Sequence, residues 1–270
     1  MGRFHLAVAL TLVTPAPIWA RDSAPQQLRE PCFDSPGLGI PACTLDPGRI
    51  AIEIEGVDWT RESEGGTRTD TLLAGATLVR IGLDDRTEAQ IGYSPFGYVS
   101  EKNVLDGHYE RSTGTGDVTL AMRRNLRNPD GSGFAIALMP FATLPTGGQA
   151  IGAGDWGAGL IVPVTYDLGG VTLELTPEID AAVDEDGHGR HLGFGSVAGL
   201  ALDVSDTVSV NTELSVYRDR DPAGATTKTI TGLSALWQPD NDLQFDAGVN
   251  IGLDHASPDC QLYVGIARRF

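Results

Sequence analysis

The stretch Leu243-Gln244-Phe245-Asp246-Ala247-Gly248-Val249-Asn250-Ile251-Gly252-Leu253 alternates without a break. Leu243, Phe245, Ala247, Val249, Ile251 and Leu253 turn one way, and Gln244, Asp246, Gly248, Asn250 and Gly252 turn the other. A period of two is the signature of a strand with an apolar and a polar face. Residues 171–183 repeat it, with Val171, Leu173, Leu175, Ile179, Ala181 and Val183 set against Thr172, Glu174, Thr176, Glu178 and Asp180. Working outward, the same reading gives about twelve strands, at 49–60, 69–81, 87–99, 115–125, 132–144, 155–167, 171–184, 190–204, 208–219, 226–237, 243–253 and 259–270. These segments exceed the soluble mode of about 5–6 residues and match tilted membrane strands of about 9–11 residues with extensions. The even count is the one bacterial membrane barrels show. The expected fold is an all-β, antiparallel, up-and-down transmembrane barrel over residues 49–270.

The connectors alternate in kind. Those at 82–86, 126–131, 168–170, 205–207 and 238–242 are short and rich in turn formers, as periplasmic turns are. The intervening ones include longer stretches at 100–114, 145–154 and 220–225, besides modest ones at 61–68, 185–189 and 254–258. Aromatic residues fall near the strand ends, where the two membrane interfaces lie. Trp59, Tyr98, Trp156 and Tyr217 sit on the outer side, and Tyr166, Trp237, Phe245 and Phe270 on the periplasmic side. Tyr217 shares parity with Ser209, Asn211 and Glu213, which leaves a lumen-facing placement open.

Ahead of the strands, Arg3, an apolar run from Phe4 to Val13 and the segment ending at Ala20 have the layout of a secretory signal peptide over residues 1–20. Residues 21–48 are expected to form an N-terminal periplasmic segment; whether 22–46 enters the lumen is open. Export brings Cys32 and Cys43 into an oxidising compartment on either side of a Pro/Gly-rich stretch, and a bridge between them is expected. Cys260 is left as a buried small hydrophobe or as a partner for one of the other two. With 36 acidic against 19 basic residues and a net charge of −17, nucleic-acid binding is disfavoured.

In a membrane barrel the apolar face meets lipid and the polar face lines the lumen. Glu53, Glu55, Glu88, Arg123, Glu174, Glu178, Asp180, Glu213, Asp246 and Asn250 are therefore lumen-lining candidates, with Gln90 and Gln244 beside them. Two arrangements stand open. An open acidic pore favours cations or neutral polar solutes; a plugged interior pairs the acids with Arg80, Arg123 and Arg190. An enzymatic reading rests on residues 184–196, where His188, His191 and Ser196 fall among acids. His191 and Ser196 are five apart on a strand and so face opposite sides, which argues for a surface loop over a catalytic set. No metal ligands and no cofactor are expected. The glycines of 147–154 lack a following helix and a Lys-Ser/Thr, so they read as a loop and not a phosphate cradle.

One run carries a resemblance. Gly114-Thr115-Gly116-Asp117-Val118-Thr119-Leu120, then Arg124-Asn125-Leu126, then Ala135-Ile136-Ala137-Leu138-Met139-Pro140-Phe141-Ala142-Thr143-Leu144-Pro145-Thr146-Gly147, resembles the outer-membrane family named for a putative MetA-pathway of phenol degradation. Trp156-Gly157-Ala158-Gly159, Leu173-Glu174-Leu175 and Asn211-Thr212-Glu213-Leu214 are similar too, so the resemblance spans residues 45–270. It implies a channel or transporter for small solutes, with a suggested link to aromatic or hydrophobic compounds, and no catalytic residues. The expectation is thus a monomeric, non-enzymatic barrel in the cell outer membrane. Its partners would be outer-membrane lipids, a small-molecule solute and the barrel-insertion machinery, the last through Phe270, which resembles that machinery's recognition signal. An outer-membrane hydrolase, a surface adhesion barrel and a soluble β-sandwich are the rivals.

Overall fold

The computed structural model describes residues 28–270. The signal-peptide reading of 1–20 lies outside the described residues. From residue 50 the chain runs as fifteen strand segments: β1 Ile50–Glu64, β2 Thr67–Asp84, β3 Thr87–Tyr93, β4 Phe96–Asn103, β5 Tyr109–Gly114, β6 Val118–Arg127, β7 Phe134–Leu144, β8 Gly157–Ile161, β9 Val164–Asp167, β10 Val171–Val183, β11 Arg190–Ser205, β12 Val208–Asp219, β13 Thr226–Asp240, β14 Leu243–Gly252 and β15 Cys260–Arg269. Three wall strands are each split in two. β3 and β4 part at Ser94-Pro95, and β8 and β9 at Val162-Pro163, because proline brings no N–H to the ladder. β5 and β6 part at Thr115–Asp117, opposite Ser94, whose carbonyl accepts the Gly116 N–H at 2.8 Å. The wall therefore has twelve strands, the expected number, each antiparallel to its neighbours in sequence.

The wall closes. β1 pairs with β2 on one side and with β15 on the other, from Ala51↔Arg269 to Arg61↔Cys260, with a bulge between Glu55 and Val57. Leu173, Leu175 and Ile179 on the outer face of β10 are 45%, 46% and 51% exposed, whereas Thr176 on the inner face is 5% exposed. Leu262, Val264 and Ile266 on β15 are exposed in the same way, and Tyr263 and Ala267 are buried. Apolar outside and polar inside is the inverse of a water-soluble fold and the pattern of a barrel in lipid. The soluble sandwich is thereby set aside. Trp237 and Phe245 stack on that outer face with ring centroids 5.5 Å apart, near the end of the short turns. Tyr217 takes the inward option, its hydroxyl donating to Asp180 at 2.9 Å.

Two connectors differ from the sequence reading. The loop expected at 100–114 is mostly strand, since β4 runs on to Asn103 and β5 begins at Tyr109. The connector expected at 61–68 shrinks to Gly65-Gly66, both at positive φ. In each case a polar hairpin rises beyond the bilayer, where the apolar alternation that marks a strand in sequence ends although the backbone pairing continues.

The question left open for the N-terminal segment is answered for its described part: residues 33–45 lie within the barrel, at the end carrying the short turns. Phe33 and Leu45 bury against Ala51 and Ala267, and Ala42 against Ala135 and Ala137. Small residues at these inward wall positions make the room. Composition alone gives no sign of this, because a Pro/Gly-rich segment has no face whose periodicity reveals a partner.

Candidate functional site

The segment inside the barrel is a loop closed by the Cys32–Cys43 disulfide; Cys260 is free. A loop without secondary structure leaves its backbone groups to be satisfied by something else, and here the wall does it. Glu53 accepts the N–H groups of Asp34 and Ser35 at 2.9 and 2.8 Å. Glu213 accepts those of Leu38 and Gly39 at 2.8 and 2.7 Å, Thr176 Oγ1 that of Ile40 at 3.1 Å, and Glu88 that of Leu45 at 2.8 Å. In the other direction, Arg80 donates to the Cys32 carbonyl at 2.6 Å, Arg123 to Cys43 at 3.1 Å, Asn125 to Ala42 at 2.7 Å and Gln244 to Ser35 at 2.7 Å. Gly37, at φ +124°, crosses so near Glu213 that a Cβ there would lie 2.7 Å from its carboxylate.

Beneath these contacts is an ion network. Arg80, fully buried, reaches Asp34 at 3.0 Å, Glu53 at 2.9 Å and Glu88 at 2.8 Å. Arg123, also fully buried, reaches Asp34 at 2.6 Å and Glu88 at 3.4 Å. Gln90 donates to Asp34 at 3.2 Å and to Glu88 at 2.7 Å. Three carboxylates thus share two guanidiniums, and Asp34 carries the loop's side of the bond. Arg190, the third arginine considered from sequence, pairs instead with Asp155 at 2.8 Å at the mouth and stacks on Trp156.

The other candidates face the same interior without such compensation. Asp246 accepts from Ser35 Oγ at 3.3 Å, and Asp180 accepts from Tyr217. Asn250 is held by Gln261 at 2.8 Å. No arginine or lysine among the described residues lies within ion-pairing distance of Glu55, Glu174, Glu178, Asp180, Glu213 or Asp246. Two cavities meet at the loop. One of about 390 Å³ opens toward the long connectors and holds Glu55, Asn250, Gln261 and Tyr263. The other, about 640 Å³, opens toward the short turns and holds Glu174, Asn211 and Gln244. Asp34, Ser35 and Pro36 line both, so these three residues form the partition.

At the mouth, His191 Nδ1 lies 2.9 Å from Asp184 and 3.4 Å from Asp221, and its Nε2 faces Asp219. This set ties the 184–189 connector to the 220–225 connector. Ser196 lies on the outer face, opposite Pro177 and Val216, so His191 and Ser196 are not brought together. Asp34, Asp58, Gln261 and Tyr263 were missed from the sequence as site residues. Tyr263 was legible, since Leu262, Val264 and Ile266 alternate around it; Asp34 was not, since it lies in no strand. Phe270 sits outside at the rim, 55% exposed, its backbone paired with Ile50.

A closed twelve-stranded wall, apolar toward lipid and acidic toward the lumen, defines a porin-like β-barrel of the bacterial outer membrane. The chain belongs to the family described as "Putative MetA-pathway of phenol degradation", whose model matches residues 33–270. Among solved structures it is similar to a NanC porin, with TM-score 0.51 and 9% identity over 81% of this chain and 98% of that one. It is also similar to the translocator domain of the autotransporter NalP from Neisseria meningitidis, with TM-score 0.52 and 16% identity over 83% and 88%. At these identities the likeness is one of fold. A search of curated proteins finds no match.

Proposed function

We propose that the protein is a plugged outer-membrane channel for small cationic or neutral polar solutes, monomeric and without enzymatic activity. The observation that carries this reading is the pair of cavities meeting at the N-terminal loop, each with a carboxylate, Glu55 or Glu174, that no cation among the described residues offsets. Carboxylates at close quarters in a narrow lumen attract cations and repel anions. The free carboxylates of the lining favour a cationic solute over the uncharged phenol of the family's name. The separation of His191 from Ser196 speaks against a hydrolase. The exposed apolar belt fits a lipid surround, and Phe270 at the end of β15 fits a contact for the insertion machinery.

Single-channel recording in planar bilayers tests the reading. Small, cation-selective currents that grow when the loop is freed by reducing Cys32–Cys43 are expected. An absence of current from both the oxidised and the reduced barrel would overturn it.

A further inference from the structure

At the mouth, outside both cavities, three carboxylates from the ends of two strands surround one imidazole. Asp184 follows the end of β10, Asp219 ends β12, Asp221 lies just beyond it, and His191 stands near the start of β11 between them. The register brings them together: His191 is opposite Ala182 on β10, and Asp219 is opposite Gly193 on β11. His191 Nδ1 lies 2.9 Å from Asp184 Oδ1 and 3.4 Å from Asp221 Oδ2. The His191, Asp184 and Asp221 atoms that could coordinate an ion all fall within 4.8 Å of one another. No spacing in the sequence marks this set, because its members are joined by strand pairing.

The hydrogen count around the ring points to a cation. Nε2 faces Asp219 Oδ1; both atoms are buried, the imidazole is 5% exposed, and neither atom has another partner. An ionised carboxylate only accepts, so Nε2 carries a hydrogen. Nδ1 then turns toward two more carboxylate oxygens. In the neutral ring its lone pair meets theirs with no hydrogen between them. In the protonated ring one hydrogen serves two acceptors, and a single positive charge stands against three negative ones. The neighbouring arginines do not make up the difference. Arg190 pairs with Asp155, Arg218 donates to Thr227 Oγ1, and Arg220 lies over the ring of Phe194. Among the described residues, His191 is the one cationic side chain within ion-pairing distance of Asp184, Asp219 and Asp221.

The spacing is that of metal ligands. Bonds of about 2.0–2.1 Å from zinc to nitrogen and oxygen, at tetrahedral angles, set ligand atoms roughly 3.3 Å apart. The separations of 2.9 and 3.4 Å from Nδ1 fall on either side of that value. A metal-bound imidazole commonly passes its other N–H to a carboxylate, which fixes tautomer and ring orientation. Asp219 stands in that place. The ligands are also seated in advance: Asp221 accepts the N–H groups of Glu185 and Ala223 at 2.7 and 2.6 Å, and the Asp184 N–H donates to the Gly189 carbonyl at 3.3 Å. An imidazole nitrogen among the donors favours a first-row transition ion over calcium, which takes oxygen ligands.

We infer that Asp184, His191 and Asp221 bind a divalent transition-metal ion, with Asp219 positioning the imidazole, and that the ion fastens the 184–189 connector to the 220–225 connector. The inference is independent of conduction through the lumen. Isothermal titration of zinc into the full-length barrel in detergent, treated beforehand with EDTA, tests it, with calcium as the control ion. One saturable zinc site is expected, with calcium bound more weakly by about tenfold or more. Zinc binding should weaken by about tenfold or more in His191→Ala and in Asp184→Asn, and stay at the parent's strength in His188→Ala, a histidine of the same connector outside the set. Bound zinc should also slow amide exchange in both connectors. Heat-dependent gel mobility shows that each variant is folded; where His191→Ala is not, Asp184→Asn decides. Absent zinc binding, calcium bound as tightly as zinc, zinc binding unmoved in Asp184→Asn or equally weakened in His188→Ala, or amide exchange unchanged by bound zinc would each overturn the inference.

Discussion

The two sides of the lumen handle the same kind of residue in opposite ways. On the wall of β2, β3 and β6, Arg80 and Arg123 are fully buried among Asp34, Glu53 and Glu88. On the wall of β10, β12 and β14 no arginine among the described residues pairs with an inward acid, and Glu213 holds the loop through main-chain N–H groups. The first wall fixes the loop by paired charge; the second leaves Glu174 and Glu178 free to act on what passes. A lumen carboxylate is therefore not one functional type. It anchors the loop where an arginine or the loop's own N–H groups meet it, as at Glu88 and Glu213, and is left to solutes where neither does, as at Glu174.

The most severe way to break this contrast is Arg80→Met. It leaves Asp34, Glu53 and Glu88 facing one another, and removing one partner of a buried ion set costs about 3–5 kcal/mol. The loop should leave its seat, seen as a lower temperature for the mobility shift and larger single-channel currents; an unchanged shift would show that Arg123 suffices. A smaller effect is expected from the double change Cys32→Ser and Cys43→Ser. The two cysteines are 11 residues apart, and closing so short a loop is worth at most about 3 kcal/mol. Because that energy belongs to the loop, currents should rise while the wall's own melting stays put, and joint loss of both would refute a separable plug.

On the opposite wall, Glu174→Gln with Glu178→Gln should lower cation selectivity, read as a reversal potential nearer zero in a salt gradient, with stability within about 0.5 kcal/mol of the parent. Stability lost with selectivity intact would exchange the roles of the two walls. The least effect belongs to the mouth. N–H groups of Ala223 and Glu185 hold the Asp221 carboxyl below the usual carboxylate range. A native value below the unfolded one means that this stabilisation is full above about pH 4 and is lost as pH falls through the native value. Protection factors at 184–189 and 220–225, corrected for the intrinsic pH dependence of amide exchange, should fall below about pH 4, and less so in Asp221→Asn, where the titrating group is gone.

The wall was readable because lipid imposes a strict rule on every second residue. The alternation at 243–253 and 171–183 gave strands, parity and the inward side of Glu174, Glu178 and Asp180. Where the wall leaves the bilayer the rule lapses, and the hairpins at 61–68 and 100–114 were read as loops. The loop in the lumen obeys no period at all. Its seat is set by contacts across most of the chain, such as Leu38 to Glu213 and Arg29 to Arg269, and a single sequence carries no mark of them. Asp34 and the partition it forms with Ser35 and Pro36 were therefore invisible, although the arginines that bind it were noted as possible partners.

The seam between β1 and β15 has a consequence for the chain before the barrel exists. Until it forms, both strands are open sheet edges, each with a row of unsatisfied backbone groups beside apolar side chains, the geometry that recruits other chains into aggregates. Charged side chains on the inward face and a bulge are the devices that blunt such an edge. β1 has both, in Glu53, Glu55 and Asp58 and in the irregularity at Glu55/Val57. The acids that later face the lumen thus also guard the nascent edge during transit, and neutralising them together should lower the yield of folded barrel before any current is measured.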